Sequence, residues 1–244
     1  MTTTLHPDHT TVADIAPTTG TAPAPRPVTG GRWAYWGAAA GFLGFVGTML
    51  TDTRATDVEG VEMTHEAIAD LSHTGFHVGI VAGLAATFCL LVAAAGWKRW
   101  ASAHIPDSLA GRLVPMAMTA SAGAMILGYG FKGSMAVYLP GGMDEGLYGT
   151  EALFPIYMFL DFGPWMAWWG VTFAALAMLW LSFKERALGR WIGYVTIPFV
   201  LAPLALLVGT GLPGFTAVDS LWLLIVSIGA AVGFGRQARA ATAA

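Results

Sequence analysis

Residues 33–50, 74–97, 113–138, 154–183, 190–211 and 217–235 are six runs of overwhelmingly apolar sequence, each near the roughly 20 residues an α-helix needs to cross the hydrocarbon layer of a bilayer. Inside lipid each backbone amide and carbonyl must find its partner within the segment, so each run is predicted to be a helix. The expected fold is therefore all-α, a polytopic integral membrane helical bundle of about six transmembrane helices, spanning residues 33–235. Charge agrees with this. Only 11% of the chain is charged, against about 25% in soluble domains, and the charges gather in the short segments between the apolar runs.

The first 32 residues are a different material. They are rich in Thr, Pro and Ala, with Pro17, Pro23, Pro25 and Pro27 and few large apolar side chains. Such a segment buries too little surface to offset its ordering entropy, so residues 1–32 are expected to be a disordered cytoplasmic tail. They lack the basic start and short apolar core of a secretory signal. Residues 236–244 are expected to form a second short cytoplasmic tail.

Ten of the twelve cationic residues fall on one side of a six-span arrangement. They are Arg26 and Arg32; Lys98, Arg99 and Arg112; Lys184, Arg186 and Arg190; and Arg236 and Arg239. Only Arg54 and Lys132 do not. The positive-inside rule then places both termini in the cytoplasm of a cell (inner or plasma) membrane. Arg32-Trp33, Arg99-Trp100 and Arg190-Trp191 mark the same interface, where tryptophan prefers to sit. The opposite side is acidic. Asp52, Asp57, Glu59, Glu62, Glu66 and Asp70 crowd the outer loop 51–72, Asp144, Glu145 and Glu151 the next, and Asp219 stands at the third. Those carboxylates serve first to keep the loops wet.

A net charge of −3 and the lack of a basic face exclude a nucleic-acid partner. The single Cys89 offers no disulfide or zinc knuckle and reads as a small apolar filler. Glycines four apart, Gly37/Gly41, Gly79/Gly83 and Gly229/Gly233, form seams for close helix approach, either within the chain or between copies in a homo-oligomer. Pro115 is expected in the first turn of the third span, and Asp107 as that helix's cap.

Three places break the rules of a membrane interior. Asp161 lies about two turns below the outer end of the fourth span, and at helical spacing Tyr157, Asp161, Trp165 and Trp168 share one face. Pro164 should kink the helix beside the acid. Lys132, among Gly128, Gly130 and Gly133, lies at a similar depth in the third span. It either snorkels outward or pairs with Asp161. Glu66, Asp70, His73 and His77 step by four, three and four, and line one face if a helix starts at Thr64. Two histidines so spaced can share a metal, but this stripe alone cannot supply a third or fourth ligand in the right places, so a wet helical face is the expectation and no metal or cofactor is assigned. Asp219 begins the sixth span, where a carboxylate complements the helix dipole and caps the first turn. No phosphate loop, nucleophile elbow or histidine box is present.

Three functions fit these residues. The first is a membrane enzyme with Asp161 as the acid, Lys132 and Asp219 as its electrostatic partners, and Tyr157, Trp165 and Trp168 as an apolar pocket for a lipid-like, isoprenoid-type small molecule. In length and span count the chain resembles the small membrane-bound terpene cyclases, which set acidic residues against an aromatic cavity; the likeness is one of architecture and not of motif. The second is a small-solute or ion transporter using Asp161 and Lys132 as a charge relay. The third is a non-catalytic membrane component that binds a partner protein.

Overall fold

In the computed structural model the described residues are 31–52, 63–160 and 162–243. Residues 1–30 of the expected tail, most of the acidic loop (Asp57, Glu59 and Glu62 included) and Asp161 lie outside them. The described residues are helical and contain no strand. The helices are α1 (Ala34–Phe45), α2 (His73–His104), α3 (Leu109–Tyr138), α4 (Thr150–Leu160), α5 (Gly163–Met166), α6 (Trp169–Phe183), α7 (Arg190–Thr210) and α8 (Asp219–Ala243). Single 3₁₀ turns stand at His65–Ile68 and Gly214–Val218, and α1 runs on as a π-helical turn, Val46–Leu50.

Five segments are long and apolar enough to cross a membrane: α2, α3, the stretch Thr150–Phe183, α7, and Gly214–Gly233. The sixth, Ala34–Leu50, is shorter; at 1.5 Å per residue it reaches about 25 Å, against a hydrocarbon layer of about 30 Å. The packing order closes a ring. α1 lies on α8 and α2, α2 on α3, α3 on α6, α6 on α7, and α7 returns to α8. The outside of this ring is oily. Leu109 is 80% exposed, Leu127 70% and Val208 86%. Exposed apolar surface on this scale has a solvent only in lipid, and the chain is a multi-pass helical membrane bundle.

Small residues set the helix spacing. Gly41 meets the backbone of Ser220 and Leu224 in α8, Gly47 meets Gly79 and Gly83 in α2, and Gly83 lies under the Tyr129 ring. The seams Gly37/Gly41 and Gly79/Gly83 are thus occupied within one chain. Gly229 is covered by Trp191, while Gly233 meets nothing.

Several boundaries differ from the sequence expectation. α3 starts at Leu109, four residues earlier than expected, because Ser108 rather than Asp107 is its cap, accepting from the Gly111 amide at 2.9 Å. Pro115 therefore sits well inside the helix. The acidic stripe is broken. His65–Ile68 is one 3₁₀ turn, and a new helix begins at His73 behind Ser72, whose extended backbone and hydroxyl cap the Thr74 amide. Glu66 and Asp70 do not share a helical face with His73 and His77. Trp100 is buried, packed between Trp97 and His104. α8 runs on to Ala243, past the end of its apolar span at Gly233.

Candidate functional site

The fourth apolar segment is cut into three helices. α4 ends at Leu160, Pro164 occupies the start of α5, and the chain turns again at Ala167 and Trp168 before α6. The proline expected to kink the span breaks it, since it can donate no backbone hydrogen bond. One consequence corrects the expected aromatic wall. Tyr157 packs into an outer cluster with Ile68, Phe76, Met135 and Leu153, whereas Trp168 belongs to the main core. Tyr157, Trp165 and Trp168 do not share one helical face.

Trp168 is instead held in a polar layer that crosses the bundle interior. Its indole Nε1 donates to Thr48 Oγ1 at 3.2 Å, and the same Thr48 oxygen is 2.7 Å from the Tyr129 hydroxyl. All three side chains are fully buried. The indole lies against Gly44, where any side chain would collide with the ring.

Lys132 is buried on one side of this layer, at 3% exposure. It neither snorkels nor stands free. Its ammonium donates to Gly47 O at 2.7 Å, Thr51 O at 3.1 Å and Thr51 Oγ1 at 3.2 Å. Three acceptors match the three N–H bonds of an ammonium. They sit at the end of α1 and its π turn, where carbonyls have run out of helical donors and the dipole is negative. Lys132 caps a helix from across the bundle, with the Asp52 carboxylate adding a nearby negative charge.

Asp219 lies on the other side and is fully buried. Although it is the first residue of α8, it does not cap its own helix. Its Oδ2 accepts from Thr172 Oγ1 on α6, and its Oδ1 has no hydrogen-bond partner among the described residues. The Trp165 indole nitrogen is likewise buried and without one. Thr172 has a second acceptor in reach, the Trp168 carbonyl at 3.5 Å. A hydroxyl has one hydrogen, so it serves one acceptor at a time. The turn before α8 is anchored to the same region by Thr216, which donates to the Trp165 carbonyl at 2.8 Å.

Of the residues singled out from sequence, Lys132, Trp168 and Asp219 border one polar layer, and Trp165 meets it through the Thr216 turn. Glu66, Asp70, His73 and His77 stand apart. His73 Nδ1 is 3.1 Å from the Pro140 carbonyl oxygen, and Glu66, Asp70 and His77 are exposed. No three His, Cys, Asp or Glu side chains among the described residues are placed to hold a metal ion. Sequence reasoning missed Thr48, Thr51, Tyr129 and Thr172. A threonine in a spanning helix ordinarily bonds its own carbonyl four residues back, as Thr87 does here with Gly83, so its presence marks nothing.

No family model, curated protein or solved structure is similar enough to the chain to match it. The class of the protein therefore rests on its own architecture, a helical multi-pass membrane bundle with a buried polar layer.

Proposed function

We infer that the polar layer is a proton or small-cation relay and that the chain is a small transporter or ion pathway. The observation that carries this is Asp219, a carboxyl buried inside a membrane bundle with one oxygen unpartnered among the described residues. Buried ionisable groups in spans mark ion and proton routes more often than they mark packing. The chemistry follows from hydrogen counting. An ionised Asp219 takes the Thr172 hydroxyl hydrogen. A protonated Asp219 offers its own hydrogen to the Thr172 oxygen, and the Thr172 hydrogen turns to the Trp168 carbonyl. Proton arrival thus changes a bond made by the residue at the break of the fourth segment. The enzyme reading needs Tyr157, Trp165 and Trp168 around one substrate, and their division between two clusters favours the relay.

The test uses the full chain in sealed liposomes with a pH dye inside and a potassium-diffusion potential. Proton flux above that of empty vesicles is expected. Asp219→Asn should reduce it roughly a hundredfold or more, the scale of losing a positioned acid–base group. Infrared pH-difference spectra should lose a buried carboxyl band in the same variant. Flux equal to that of empty vesicles, together with a spectrum unchanged by Asp219→Asn, would overturn the relay.

The orientation proposed for this function keeps both termini in the cytoplasm. Met143, at 92% exposure in the loop after α3, then faces out. With Cys89 replaced by Ala, Met143→Cys is expected to react with an impermeant thiol reagent on intact cells. Lys184→Cys should react only after permeabilisation. The reverse pattern would invert the assignment.

A further inference from the structure

At the basic end of the bundle, away from the polar layer, a groove of about 950 Å³ lies between α2 and α3. Ala94, Ala95, Ala101 and Pro115 are among its lining residues, none of which carries a carboxylate. Lys98 on α2 and Arg112 on α3 stand at its rim. Both are exposed. Arg112 is preset rather than loose. Its Nε and Nη2 donate to the Pro106 carbonyl at 3.2 and 2.6 Å, which fixes the guanidinium and leaves its other N–H bonds free to turn to a ligand. The carboxylates Asp107 and Glu185 line an adjoining hollow that shares Ile105 and Pro106 with the groove, and neither lines the groove itself.

From the cations the groove runs to Leu91 on α2 and Thr119 on α3, seven residues along each helix and so about 10 Å into the apolar zone. Two cations at headgroup depth over an apolar channel of that length fit one ligand chemistry, an anionic head with a hydrocarbon tail. We propose that this groove binds one anionic phospholipid, with the phosphodiester on Lys98 and Arg112 and an acyl chain against Ala94, Ala95 and Pro115. Basic pockets between helices on the positive side of membrane proteins recognise such heads by this arrangement.

The test is lipid titration of the full chain in a neutral detergent, read by native mass spectrometry and thermal shift. Phosphatidylglycerol is expected to bind and to raise the melting temperature, and phosphatidylcholine to do so far less. Lys98→Gln with Arg112→Gln should weaken phosphatidylglycerol binding roughly thirty-fold, as expected for two surface cations. Lys98→Gln alone tests the same point if the double variant folds poorly, because Lys98 is an exposed surface side chain. Ala95→Trp fills the groove without changing charge and should also abolish binding, while Lys184→Gln should have no effect. Equal stabilisation by inorganic phosphate would show a headgroup-only anion site and overturn the proposal. So would equal binding of the two lipids, or binding that survives Ala95→Trp.

Discussion

Lys132→Met is expected to lower the melting temperature of the detergent-solubilised protein by roughly 5–10 °C. Methionine keeps most of the lysine's length and apolar stem, so the change removes the charge and three donors with little change in volume. The Gly47 and Thr51 carbonyls then face a thioether. A buried acceptor stripped of its donor costs about 1–3 kcal/mol. Thr51 Oγ1 partly offsets this, since it already reaches the Val46 and Gly47 carbonyls at 3.0 Å. A net loss of about 2–4 kcal/mol follows, and for a chain of this size each kcal/mol moves the midpoint by about 2–4 °C. The double variant with Thr51→Ala should fall short of the sum of the singles, because both remove parts of one cap. A shift under about 1 °C, within the ordinary range of surface substitutions, would show that the end of α1 needs no cation.

Gly41→Ala is expected to do at least as much damage from the opposite side of α1. A methyl group placed there falls 2.6 Å from the Leu224 nitrogen and 3.0 Å from its Cα, and collides with the Ser220 carbonyl oxygen. These are backbone atoms in α8 and cannot rotate aside, so the two helices must separate. Overpacking against mobile side chains costs about 1–3 kcal/mol, and a backbone obstacle should reach or pass the top of that range. Folded yield should drop sharply, with a melting shift of roughly 6–12 °C in what remains. Gly123 in α3 is the internal control. A methyl group there meets nothing within 4 Å, so Gly123→Ala should leave the melting temperature unchanged or slightly raised. Equal effects at the two positions would refute the close approach of α1 and α8.

These two residues differ in how far a sequence reveals them. Gly41 is legible as half of a Gly37/Gly41 pair on a spanning helix, and only its partner, α8, had to come from the fold. Lys132 is legible as an anomaly but not as a cap. Its acceptors are two backbone carbonyls and a threonine hydroxyl, and carbonyls are present at every position, so no letter of the sequence points to Gly47 or Thr51. Pairing by opposite charge steered the expectation toward Asp161, which lies outside the described residues. The spans themselves were readable because hydropathy in lipid leaves few alternatives. The stripe from Glu66 to His77 misled because its spacing is helical while Ser72, in the middle, prefers to start a helix rather than continue one. Asp219 was legible as a carboxylate at a helix start, but its bond to Thr172 comes from the packing of α6 beside α8, which no local spacing reveals.

The π turn at the end of α1 also constrains how the protein can be made. Its terminal carbonyls receive their cation from Lys132, 85 residues after Gly47 and 81 after Thr51. At about 5–20 residues per second of synthesis, α1 exists for roughly 4–17 s before the residue that completes it has been translated. During that interval the Thr51 amide and hydroxyl, which reach the Val46 and Gly47 carbonyls, are the donors the turn has at hand. In the finished bundle the third span acts as the clasp for the first.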